Sequence, residues 1–152
     1  MIKNDKQYQV TRARLKDFDE SLKALEDQGM EPLLKELHTG AIQSQIVEFK
    51  KELNDYEALK NGEVESVFIH SLSEISDALI KARIIKGWSQ ADLAKRLELK
   101  EQQIQRYESC DYATANMTRI SEVASVLNIG LSQIKVKVKE PEFELPSGWD
   151  ID

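Results

Sequence analysis

The apolar positions of this chain recur mostly at spacings of three and four. Leu15, Phe18, Leu22 and Leu25 form one such stripe and predict a helix, with Thr11 as its cap and Gln28-Gly29 as its stop. The polar residues 1–9 ahead of it are expected to be loose. Pro32 suits the first turn of a second, longer helix. Leu34 and Leu37 begin its stripe, Gly40 interrupts it, and Ile42, Ile46, Phe49, Leu53 and Tyr56 continue it to Asn61-Gly62. Two narrow stripes can close on each other as an antiparallel hairpin or pair with a second copy as a coiled coil. Either arrangement leaves a thin core, so this arm is expected to present a partner surface or to pack on the rest of the chain.

Residues 63–70 read as a linker with a few apolar contacts from Val64, Val67, Phe68 and Ile69. Beyond it the helices become short. Ser71 or Ser73 is placed to cap a helix carrying Ile75, Leu79, Ala82 and Ile85 and ending at Gly87, with Trp88 expected to plug the core. Ser89 caps the next, with Asp92 as its acidic partner in the first turn and Leu93, Ala94 and Leu97 facing inward. Glu98-Leu99-Lys100 makes a turn. A further helix turns Ile104 and Tyr107 in and leaves Glu101, Gln102, Gln105 and Arg106 mostly outward. Thr118 is the expected cap of a last helix with Ile120, Val123, Ala124 and Leu127 inside and Asn128 at its end. Two short amphipathic helices joined by a turn of about three residues mark a helix-turn-helix.

After Leu131 the period changes to two. Ile134, Val136 and Val138 alternate with Lys135, Lys137 and Lys139, and Phe143 and Leu145 follow Pro141, which predicts a short β tail with one apolar face. A lone strand needs a partner strand, from this tail or from another copy. The expected fold is therefore mainly α: an N-terminal helical hairpin or coiled-coil arm over 1–62, a linker over 63–70, a helix-turn-helix bundle over 71–131 and a C-terminal β tail over 132–152. Dimerisation is expected through the arm or the tail.

Composition narrows the function. A chain of 152 residues with a net charge of -6 is no general nucleic-acid coat, although a local basic face can still read DNA. Residues 71–131 hold 8 basic and 8 acidic side chains, against 10 and 12 in the arm, so the short-helix region is the least acidic part without being basic. No apolar run is long enough for a membrane span, and Met1-Ile2-Lys3-Asn4-Asp5 has no signal core, so a soluble, cytoplasmic protein is expected. Cys110 is the single cysteine and excludes an internal disulfide framework. His38 and His70 have no companions at metal-ligand spacing, and no phosphate loop, dinucleotide fingerprint or nucleophile elbow is present. Neither an enzyme nor a cofactor is expected.

Three runs carry a family resemblance: Arg83-x3-Gly87-Trp88-Ser89-Gln90-x2-Leu93-Ala94, then Ile104-x2-Tyr107-Glu108, then Ile120-x2-Val123-Ala124-x2-Leu127. Residues 79–129, a third of the chain, resemble the Cro/lambda-repressor-type helix-turn-helix proteins, also called the xenobiotic-response-element family. The arm resembles one found ahead of this domain in some bacterial regulators. The resemblance implies a lambda-repressor-like bundle bound to double-stranded DNA, with the second helix of the motif in the major groove. Lys100, Glu101, Gln102 and Gln103 would then lie at base edges with Arg106 a turn further on, and Gln90 would touch a phosphate. Arg83 and Glu108 match an internal ion pair. Three features depart from the family. Glu98 stands where glycine is common, so it is expected either to adopt a less permissive backbone or to widen the turn. Cys110 replaces another frequent glycine, and 109–117 lacks any Lys or Arg.

The leading reading is a sequence-specific transcriptional regulator acting as a homodimer on a palindromic site. The second is an antitoxin that binds its operator and uses the arm or tail to neutralise a toxin. The third is a protein-interaction module that keeps the fold without binding DNA.

Overall fold

The computed structural model describes residues 1–26, 29 and 31–130. Six α-helices stand among them: α1 (Asp5–Glu26), α2 (Pro32–Lys60), α3 (Ile75–Ile85), α4 (Gln90–Arg96), α5 (Glu101–Ser109) and α6 (Met117–Val126). A 3-10 turn, Leu72–Glu74, leads into α3. No strand occurs among the described residues, and the strand expected over 134–139 lies outside them.

The arm is an antiparallel hairpin within one chain. The T-shaped pair Phe18–Phe49, with ring centroids 5.4 Å apart, closes its middle, and the Tyr8–Tyr56 pair closes its base. Lys60 Nζ meets Asp5 Oδ1 at 2.7 Å, and Tyr8 donates its hydroxyl proton to Glu57. Gly40 does not break α2, which runs unbroken through it. Glu31 caps α2 by accepting from the Leu34 amide, with Pro32 in the first turn as expected. Leu33, Leu34 and Leu37, at 63%, 49% and 60% exposure, lie near the start of α2. Extending the Asp5–Lys60 and Phe18–Phe49 register leaves them with no α1 residue opposite.

The first residues are not loose, and α1 does not wait for Thr11. Asn4 Oδ1 accepts from the Gln7 amide at 2.9 Å, a side-chain cap that starts the helix at Asp5. Ile2 is only 2% exposed and belongs to the central core. That core runs without a break from the arm base (Leu53, Tyr56, Leu59) through α3 (Leu79, Ile80, Ile84) to Leu93, Ile104, Val123 and Leu127. Each such aliphatic side chain contributes about 1.5–3 kcal/mol on burial.

Helix α3 is covered on more than one side, by α2 and by α6, so Ala78, Ile80 and Ile84 are buried along with Leu79. Ile75, Ala82 and Ile85 remain only half-buried, which departs from the single stripe expected. Ser71 precedes the 3-10 turn without a side-chain cap bond. Asn116, not Thr118, caps α6: its Oδ1 accepts from the Arg119 amide at 2.8 Å. Trp88 is half-buried: it packs against the core from outside and stacks under the Arg96 guanidinium, 3.9 Å from the ring centroid.

Five helix ends share one closure, beginning with α2, where the Glu63 amide donates to Ala58 O at 3.1 Å. After α3, the Trp88 amide donates to Arg83 O and the Gly87 amide to Ile84 O, the two bonds of a Schellman motif. The Leu99, Tyr112 and Ile129 amides close α4, α5 and α6 onto Ala94 O, Tyr107 O and Ala124 O. Helices α2 and α3 use glycine for the left-handed residue, Gly62 at φ 74° and Gly87 at φ 68°. Glu98, Asp111 and Asn128 take it at 55°, 49° and 52°. Of its two options, Glu98 thus takes the less permissive backbone.

Candidate nucleic-acid interface

The helix-turn-helix is α4, the Glu98 turn and α5. Its first helix is started by a full capping box. The Asp92 amide donates to Ser89 Oγ at 3.1 Å, and the Ser89 amide donates to Asp92 Oδ2 at 2.9 Å. The Ser89 hydroxyl, and after it the Ser89 amide, holds the Asp92 carboxyl below its usual range. Leu93 and Ala94 are buried, and the small Ala94 lets the turn fold back so that Leu99 N reaches its carbonyl at 2.9 Å. Lys100 precedes α5 with its amide donated to Gln103 Oε1 at 3.1 Å.

The outer face of α5 presents Glu101, Gln102, Gln105, Arg106 and Ser109 to solvent, while Ile104 and Glu108 are fully buried. Glu101 Oε1 accepts from Gln105 Nε2 at 2.8 Å, so its charge is partly engaged within the helix. Gln103 is spent on the start of the helix. Gln102 and Arg106, four residues apart and both exposed, use neither side chain in a bond among the described residues, which leaves them free to meet a ligand. Lys100 is exposed beside them.

Behind this face sits a buried polar knot. Arg83 Nε and Nη2 each donate to Glu108 at 2.6 Å, a two-pronged pair with Arg83 2% and Glu108 0% exposed. Arg83 also donates to Trp88 O at 2.8 Å and Lys3 O at 2.7 Å. Gln90 is 9% exposed. Its Nε2 donates to Glu108 Oε2 at 2.8 Å and its Oε1 accepts from Asn4 Nδ2 at 3.4 Å. The residue expected to reach a phosphate therefore points inward, with both ends of its amide in use.

The arm takes part in this region, which sequence reasoning missed. Lys3 Nζ donates to Glu108 O at 2.5 Å and to Asp111 Oδ1 at 2.7 Å, tying the chain's first residues to the end of α5. A groove of about 600 Å³ separates α1 from α5, with Lys6, Val10 and Arg14 on one wall and Gln90, Gln105 and Ser109 on the other. An adjoining cleft of about 380 Å³ sets Asp5 and Lys6 across from Glu101 and Gln105. Helical spacing of residues 3, 7, 10 and 14 was the available signal, but the polar start of the chain hid it.

Cys110 is half-buried, its Sγ 3.2 Å from Arg106 O. Among the described residues no three His, Cys, Asp or Glu side chains gather as a metal site, and no helix is long and apolar enough to cross a membrane.

Residues 79–134 match the helix-turn-helix family, so the chain contains a helix-turn-helix domain of the broad DNA-binding class. No curated protein and no solved structure matches the chain.

Proposed function

We propose that this protein is a sequence-specific DNA-binding transcriptional regulator of the Cro/lambda-repressor type, acting as a cytoplasmic homodimer. The observation that carries the reading is the outer face of α5, where Gln102 and Arg106 stand exposed and uncommitted on a short helix closed at both ends. Gln offers a paired donor and acceptor to adenine, and Arg a fork to guanine, each worth about 1–3 kcal/mol of discrimination. Glu101 reads cytosine if Gln105 releases it, and Lys100 meets a phosphate. Gln103 serves the helix start, and Gln90 holds Glu108 in place. The exposed Leu33, Leu34, Leu37 and Val47 on α2 favour the arm as the contact between copies.

Selection of bound duplexes from a random pool at about 100 mM salt tests this, since the Debye length near 10 Å then screens loose attraction. The expected result is an enriched palindrome with half-sites about one helical turn apart. Arg106→Ala should then lose about 1–3 kcal/mol of specific binding. No enrichment by a folded protein would overturn the reading.

The same apolar face of α2 favours a second reading, an antitoxin whose arm takes a protein partner while the helix-turn-helix holds the operator. Rescue of cell growth from a neighbouring toxin by the intact chain, lost on Leu33→Asp with Leu37→Asp, would support it. A module devoted to protein contacts alone is favoured by the inward Gln90. It predicts full activity after Gln102→Ala with Arg106→Ala.

A further inference from the structure

We propose that α1 is a second DNA-contacting element, in which Lys6 and Arg14 each neutralise a backbone phosphate of the duplex that α5 reads. The inference rests on the DNA-binding reading above and adds residues outside the helix-turn-helix.

Four observations carry it. Lys6 and Arg14 line the groove whose other wall holds Gln105 and Ser109, part of the outer face of α5. Both are exposed, and neither takes part in an ion pair or side-chain hydrogen bond among the described residues. The helix-turn-helix is short of cations at this edge, because 109–117 has none and the Gln90 amide is consumed by Glu108 and Asn4. Finally, the arm removes a repulsive charge there: Lys3 pairs with Asp111 at 2.7 Å, the acidic residue of that loop.

The wall is also held in place before any ligand arrives. Ile2 is buried in the common core and Arg83 grips Lys3 O, so the start of α1 is anchored to α3 and α5. Eight residues of helix separate Lys6 from Arg14 by about 12 Å, enough for two distinct phosphates. The matching partner for two fixed, unpaired cations beside a base-reading helix is the phosphate backbone.

The test compares full-length protein with the Lys6→Ala/Arg14→Ala double variant on the duplex chosen by the random pool, between about 50 and 200 mM salt. Two lost phosphate contacts should lower the slope of log K against log salt by about 1.8. At about 0.1 M the same slope corresponds to about 8-fold per contact, so affinity should fall by about 10- to 60-fold. The selected sequence should stay the same, since phosphate contacts do not read bases. A Lys50→Ala/Lys51→Ala variant, which removes equal charge from exposed α2 positions, should keep the wild-type slope. Matching thermal melts exclude an unfolding artefact. If wild-type protein binds its site and the Lys6/Arg14 variant binds with the same slope, or more tightly, the proposal for α1 is wrong while the DNA-binding reading stands. An equal loss in the Lys50/Lys51 variant also refutes it, as net charge would explain the effect. If wild-type protein selects no DNA, both fall together.

Discussion

Replacing Glu108 by Gln changes one oxygen to an amide nitrogen inside the best-connected polar knot of the fold. The carboxylate is fully buried and accepts three side-chain hydrogen bonds, two from Arg83 and one from Gln90 Nε2. An amide has a single acceptor atom, so whichever way the new side chain turns, its NH2 group faces at least one N–H donor. The Arg83 guanidinium, 2% exposed, also loses its counter-charge. Breaking one side of a buried pair costs about 3–5 kcal/mol. Domains of this kind hold about 5–15 kcal/mol in total, so the variant forfeits a large share of its stability. At about 2–4 °C per kcal/mol for a chain near 150 residues, the melting temperature should drop by about 6–20 °C. Urea titration followed by helical circular dichroism gives the free energy directly. The companion variant Arg83→Met/Glu108→Leu removes both charges. It should be less destabilised than the sum of Arg83→Met and Glu108→Leu, because no lone buried charge remains. A loss below about 1 kcal/mol for Glu108→Gln, or strict additivity in the cycle, would refute this account.

Three further outcomes follow from other parts of the fold. Glu98→Gly removes a left-handed penalty of about 1–2 kcal/mol and adds about 0.4–1 kcal/mol of unfolded-state freedom, so the net gain should be about 0.5–1 kcal/mol, read as a higher urea midpoint. Ile2→Ala empties a core position that is 2% exposed and should cost about 2–4 kcal/mol, with faster proteolytic cutting near the start of α1 as a second readout. The Asp92 carboxyl is lowered in the folded chain, so its contribution is complete above the unfolded value of 3.8 and fades as pH falls through the lower folded value. Melting temperature measured from about pH 6 to 3 should therefore decline below about pH 4, and Asp92→Ala should flatten that decline.

The helices of the central bundle are legible in the sequence because their apolar residues repeat and their caps are local. Ser89 and Asp92 are three residues apart and bond each other whatever surrounds them. The pairing of α1 with α2 is one of the two options their stripes allow, and complementary stripes inside one chain decide it. The first four residues are illegible because Ile2 is a single apolar residue among polar ones, and its burial depends on a cavity that α3 and the arm create together. Gln90 is the same kind of case. Its position at the start of α4 points outward to a ligand, yet the Glu108 carboxylate, eighteen residues away in sequence, offers it a buried partner. The α6 start shows a smaller divergence, since Asn116 and Thr118 are both competent caps and only the backbone path selects between them.

The arm's geometry has a mechanical side. Helix α2 has 29 residues and so spans about 43 Å, with its later half seated in the core at Leu53, Tyr56 and Leu59 and its early leucines in water. It is a stiff pointer clamped at one end. From the clamp to the leucine tip is about 30 Å, so a tilt of only about 10° sweeps the tip through about 5 Å, close to one helical turn's pitch. A ligand that gripped the tip would therefore act through a long lever: a large excursion at the leucines would become a fine adjustment at the pivot, where Leu53, Tyr56 and Leu59 share the core with α3.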